Sequence, residues 1–114
     1  MAYKLKEAEN AYKSNDILEV LVDGEISQTA INLITTGTVS ALNLTLKCPK
    51  KGGRCLIKLG TDGGQNAVVT LEGCLLEDGN TTITLVDAND EVSLHYYNET
   101  AWILVSSKGS VVIS

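Results

Sequence analysis

One run in this chain has the residue types that hold a divalent cation. Asp87, Asn89, Asp90 and Glu91 put oxygen donors at closely spaced positions. A calcium loop takes oxygens from alternate positions, with a required glycine and a bidentate glutamate downstream. This run is short and has no glutamate at that offset. Turn chemistry accounts for it, because Asp and Asn bond back to nearby amides. His95 is the only histidine. A Ser-His-Asp or Cys-His site needs it held by an acid and facing a nucleophile. Nothing in the sequence places Ser93 or a cysteine in that role, so His95 reads as an ordinary strand residue. The glycine-containing stretch at 60–67, GTDGGQNA, does not match the phosphate-loop pattern, and no helix follows it. The reading is therefore that the chain has no catalytic residue, metal or cofactor, and is not an enzyme.

Cys48, Cys55 and Cys74 are odd in number, and their spacing matches neither a zinc knuckle nor CxxC. Only the distant His95 could join them around a metal. They are expected as free, buried, small apolar groups. A Cys48–Cys55 disulfide across a hairpin is conceivable but is disfavoured in a reducing compartment. Asn43, Asn80 and Asn98 head glycosylation patterns that carry no weight without a secretory signal. Tyr96, Tyr97 and Trp102 admit two uses, an exposed sugar-binding platform or an anchor in a core or subunit interface. The second is the commoner use of such aromatics.

The elements that hold these residues are strands. Residues 81–86, 91–97 and 101–106 read as three strands, with turns at 87–90 and 98–100. From Ile17 onward the apolar pattern has period two. Leu18, Val20 and Val22 share one face, and Asp23-Gly24 is a turn signal. Strands follow at 29–35, 38–46, 54–59 and 67–71, and 110–113 adds a short last one. Leu42, Leu44 and Leu46 share a face. Val92, Leu94 and Tyr96 share another. In 101–106 both faces are apolar, Trp102 and Leu104 on one, Ile103 and Val105 on the other. Such a strand is covered on both sides, either by a second subunit or by the N-terminal segment. About nine short strands between Asp/Asn/Gly turns predict an all-β domain, a sandwich, jelly roll or barrel.

The chain has 114 residues, which suits a single domain with a modest core. Residues 1–16 are polar and lack strand alternation, so they read as an arm, and 17–114 as the β-domain. The arm has no apolar signal-peptide core, which implies folding in the cytosol. No apolar run approaches the ~20 residues that cross a bilayer as a helix, so no membrane partner is expected. Net charge is −5, which argues against nucleic acid as a partner. The charge is uneven. Lys47, Lys50, Lys51, Arg54 and Lys58 cluster together, and no Lys or Arg occurs from Leu59 to Ser107. A solvated loop is the plain explanation of that cluster, and a contact with an acidic protein surface is the functional one.

The segment 81–107, TTITLVDANDEVSLHYYNETAWILVSS, resembles a module recurrent in tailed-bacteriophage virion proteins. Its elements are Thr82, Thr84 and Leu85; the turn acids Asp87 and Asp90; Val92, Leu94 and Tyr96; Asn98 and Thr100; then Trp102. The similarity spans roughly Thr38 to Ser107. It implies a structural part of a phage virion, either a capsid decoration (cement) protein or the tip of a tail fibre or spike binding a host glycan or protein. A short freestanding chain with a polar arm favours decoration. The implied partners are the major capsid protein and further copies of the chain, as a homotrimer on the capsid exterior. The arm residues Tyr3, Lys4, Leu5 and Tyr12 and the basic residues Lys47, Lys50, Lys51 and Arg54 would then meet the capsid. Tyr96, Trp102 and Leu104 would anchor the core or the subunit interface.

Overall fold

A computed structural model describes residues 17–48, 53–96 and 101–114. The arm at 1–16, the loop residues 49–52 and the turn 97–100 lie outside the described residues. The described chain is all-β. Its eleven strands are β1 (Ile17–Val20), β2 (Gly24–Glu25), β3 (Ile31–Thr35), β4 (Leu42–Lys47), β5 (Gly53–Thr61), β6 (Ala67–Glu72), β7 (Leu75–Leu76), β8 (Thr82–Leu85), β9 (Glu91–Tyr96), β10 (Ala101–Lys108) and β11 (Val112–Ile113). Each of the nine expected strands has a counterpart with its ends shifted by up to a few residues, and the count exceeds nine because β2 and β7 are two-residue strands with no legible alternation.

The strands form two sheets, one of six in the order β1-β3-β5-β9-β10-β7 and one of five in the order β11-β8-β6-β4-β2. Up to β6 the chain alternates between the sheets. β1 lies parallel to β3 and β3 to β5, while β2 lies parallel to β4 and β4 to β6. These strands are successive coils of a flattened parallel winding, each coil placing one strand in each sheet. The direction then reverses. β8 runs antiparallel to β6, β9 to β5, β10 to β9 and β11 to β8.

This winding corrects the expected connections. Asp23-Gly24 does not close a hairpin. It turns a corner from one sheet to the other, with Gly24 at φ 143° and the Asp23 carboxylate accepting from the Asn43 amide at 2.8 Å. A jelly roll, built from antiparallel Greek keys, is excluded by the parallel coils. Corners also trim the strands. β3 starts at Ile31 because the Ser27 hydroxyl accepts from the Thr29 and Ala30 amides at 3.1 and 3.0 Å, bending the chain before it. Residues 38–40 are bends, so the strand read from 38 starts at Leu42.

Period-two alternation fills the space between the sheets. The core contains Ile34, Ile57, Leu59, Val92 and Leu94 from one sheet and Leu44, Leu46, Val69, Ile83 and Leu85 from the other. Leu42, Leu44 and Leu46 share the inward side, as do Val92, Leu94 and Tyr96. Of the three residues expected to share a face, Val22 is exposed beyond the end of β1 and Leu18 on the edge strand is only half covered, so only Val20 is buried. Asn32 faces inward and is fully buried. Its amide serves the preceding corner, accepting from the Ser27 amide at 2.9 Å and donating to the Ser27 carbonyl at 3.0 Å.

Candidate interaction faces and the interior

Trp102 and Tyr96 meet in the core, with ring centroids 5.2 Å apart and planes tilted by 57°. Register explains the meeting, since the two residues are direct cross-strand partners on β10 and β9. Both are buried, so they act as core anchors and cannot form an exposed platform. The Trp102 Nε1–H is buried and has no hydrogen-bond acceptor among the described residues. Leu104, on the same side of β10, is 37% exposed because β7 covers only the first two residues of that strand. It borders a shallow cleft of about 380 Å³ with Leu76, Glu77 and Asp78.

The Asp87–Asp90 turn is an internal clamp. Asp90 is 2% exposed. One of its carboxylate oxygens accepts from the Val86 and Asp87 amides, both at 2.9 Å, and the other from the Ser110 amide at 2.9 Å. Burial pushes this carboxyl up, but the amides of Asp87, Ser110 and Val86 outweigh it and hold the group below its ordinary 3.8. Asn89 adopts φ 73°, a left-handed conformation that Asn tolerates, and its amide donates to the Leu59 carbonyl at 2.7 Å. Both Asp90 oxygens are committed to the backbone, so this turn is built for structure.

The cysteines correct the expectation of three free thiols. Cys48 and Cys74 form a disulfide with Cα atoms 6.0 Å apart across a sequence separation of 26. Parallel pairing of β4 with β6, ending at Lys47 opposite Glu72, carries the two cysteines together. Cys48–Cys55 pairing would have needed β4 and β5 to be hairpin neighbours, and they lie in different sheets. Cys55 is free and buried, and burial pushes its thiol up to about 12, which makes it unreactive at neutral pH.

The predicted basic cluster is divided between the sheets. Lys47 lies on the outside of the five-stranded sheet, paired with Glu25 at 3.5 Å and Glu72 at 3.8 Å. Arg54 lies on the outside of the six-stranded sheet in a cross-strand row with His95 and Ile103. Lys50 and Lys51, with the arm residues Tyr3, Lys4, Leu5 and Tyr12, lie outside the described residues.

The two outer faces differ in chemistry. The five-stranded sheet presents Thr45, Thr70 and Thr82 in one row and Asn43, Val68, Thr84 and Val112 in the next. The six-stranded sheet presents an apolar row, Ile17, Ile31 and Leu56, continued by Ser93 and Ser106. Beside it runs Glu19, Leu33, Lys58, Glu91 and Lys108. Ile17 is 49% exposed, and Val105, the extra residue where the β9–β10 register shifts, is 58% exposed. Between Ile31, Leu56, Arg54 and Ser93 lies a depression of about 170 Å³. Sequence reasoning found the apolar second side of β10 but missed β1, β3 and β5 as its continuation, because that face exists only once the parallel register is known. Among the described residues, no group of three or more His, Cys, Asp or Glu side chains is arranged to hold a metal ion.

Compared with protein-family models and with curated proteins, the chain matches none.

Proposed function

We propose that this chain is a capsid decoration protein of a tailed bacteriophage, binding the outer shell and bridging capsomers as a homotrimer. The reading starts from the resemblance of residues 81–107 to virion β-modules. The observation that favours decoration over a tail tip is the burial of Tyr96 and Trp102. A glycan-binding tip needs exposed aromatics to stack on sugar rings, whereas this pair fills the core. The chemistry of the interior agrees with a structural role. The clamp acid Asp90 and the inert Cys55 are both committed to the fold.

Decoration works by linkage. A protein that binds the assembled shell stabilises that shell in proportion to its occupancy. Several weak contacts per oligomer act together once one subunit has docked. Lys47 is held by Glu25 and Glu72, and Arg54 lies on the outside of the other sheet, so the arm, with Tyr3, Lys4, Leu5 and Tyr12, and the loop cations Lys50 and Lys51 are the groups assigned to the major capsid protein. The major capsid protein's acidic groups would meet those cations. The Cys48–Cys74 bond suits a particle that leaves the reducing host and must persist outside it.

The test is sedimentation of the purified protein with expanded empty heads of the phage that encodes it. Co-sedimentation that saturates near one trimer per three-fold position supports the reading, and a chain lacking residues 2–13 should fold but fail to bind. Absence of co-sedimentation by the folded full chain would overturn it and leave the tail-tip alternative, to be pursued on host cell surfaces.

A further inference from the structure

We infer that the outer face of the six-stranded sheet is where copies of this chain dock on one another, the Glu19 end of the face on one copy meeting the Lys108 end on the next. This rests on the homo-oligomeric reading above and names its surface.

The row Glu19, Leu33, Lys58, Glu91, Lys108 crosses five adjacent strands. Its middle is neutralised internally, with Lys58 and Glu91 at 4.0 Å. Its ends are not. Neither Glu19 nor Lys108 has an ion-pair partner among the described residues, and four strand spacings hold them roughly 19 Å apart. That distance exceeds the Debye length of about 8 Å at physiological salt, so they do not compensate one another within a chain. The face thus carries one unpaired negative charge at one edge, one unpaired positive charge at the other, and the apolar residues Ile17, Ile31 and Leu56 alongside. Any rotational packing of this face about an axis parallel to the strands lays the β1 side of one copy over the β10 side of another. Glu19 then falls on Lys108, and Ile17 approaches exposed Val105. A two-fold axis does this face to face, and a three-fold axis does it around a prism. Among the described residues the opposite sheet shows no such charge complementarity, since Lys47 is already satisfied by Glu25 and Glu72 and the rest of its outer face is mostly threonine and asparagine with Val68 and Val112.

The experiment is sedimentation equilibrium of the full chain over a concentration series at low salt, with circular dichroism to verify folding. Both charged residues are exposed, so Glu19→Lys and Lys108→Glu should fold. Each single reversal should weaken association at least tenfold, and the double variant E19K/K108E should recover to within about threefold of the parent. Thr70→Lys on the other sheet should leave association unchanged. A parent chain that is monomeric throughout would overturn the proposal, as would association insensitive to the single reversals or not recovered in the double. Residues 1–16 covering the face from within would give the monomeric result. A dimer that follows the charge-reversal pattern would support the face while removing the trimer. Capsid co-sedimentation by a monomer would sink the face and spare the decoration reading, and charge-dependent association without capsid binding would do the reverse.

Discussion

Asp90 is a buried carboxylate that commits both of its oxygens to the backbone. Three amides from the β8–β9 turn and the β10–β11 turn converge on it. Gly109 sits against its carboxylate at φ 87°, where an added Cβ would collide with the Asp90 oxygen. Asp90→Ala should cost about 3 kcal/mol, since charge-assisted hydrogen bonds are lost and buried donors are left without acceptors. Gly109→Ala should destabilise too, and the two substitutions should be non-additive because they act on one contact. The pH dependence has a definite sign. The folded carboxyl lies below its ordinary 3.8, so its contribution is present above that value and is lost as pH falls through it and on to the folded value. Thermal melts from pH 7 to pH 2 should show the parent losing stability relative to Asp90→Asn across that acidic window. Parallel curves would refute the clamp. Trp102 is a contrasting case. Its indole fills the core, but its N–H has no acceptor among the described residues. Trp102→Phe should therefore cost less than about 2 kcal/mol, whereas Trp102→Ala should cost about 3–5 kcal/mol through the cavity it leaves. Chemical denaturation of the two variants would separate them.

At the scale of elements, the coils are held by polar corners and by one covalent link. Asn32 is the buried corner residue, and its amide takes both backbone groups of Ser27. Asn32→Ala should cost about 2 kcal/mol by stranding those groups. The Cys48–Cys74 bond closes a loop across a sequence separation of 26, a length worth about 3.5 kcal/mol in the chain-entropy account. Reduction, or Cys74→Ser, should lower the denaturation midpoint accordingly; Cys74→Ser should no longer respond to reductant, while Cys55→Ala, which keeps the bond, should respond as the parent does. An unchanged midpoint on reduction would show that the bond constrains nothing in the unfolded chain. These elements also mark where the sequence was legible. Alternation within one strand is local, so the shared faces Leu42-Leu44-Leu46 and Val92-Leu94-Tyr96 could be read directly, whereas the meeting of Tyr96 with Trp102 follows from the β9–β10 register, and the residue types alone left a platform and an anchor both open. Pairing is not local. An Asp-Gly step serves a hairpin or a corner between sheets equally well, so Asp23-Gly24 did not reveal that β1 pairs with β3 and not with β2. The disulfide partner of Cys48, the division of Lys47 from Arg54 and the extent of the apolar outer face all depend on that pairing and were hidden with it.

For the molecule as a whole, the order of strands sets a gradient of stability. In stacked coils each layer contacts mainly its neighbours, so stability behaves as a sum of layers and interfaces. β5 has a strand on each side, β3 and β9, and its inward residues Ile57 and Leu59 are fully buried. β6 is likewise enclosed between β4 and β8. β1 is an edge strand paired on one side only, with three of its four residues exposed, and β2 has just two residues. Local opening should therefore begin at the first coil and reach the β5–β6 layer only on global unfolding. Native-state hydrogen exchange should show amides of Ile57, Leu59 and Val69 exchanging slowest, with free energies equal to the global value from denaturation. Amides of β1 should exchange several orders of magnitude faster in the dissociated chain, and their protection should rise with protein concentration if copies dock on the face that β1 borders. Equal protection of β1 and β5 in dilute solution would mean that the domain opens as one unit and that the layered account is wrong. Protection of β1 that does not change with concentration would place the subunit contact elsewhere.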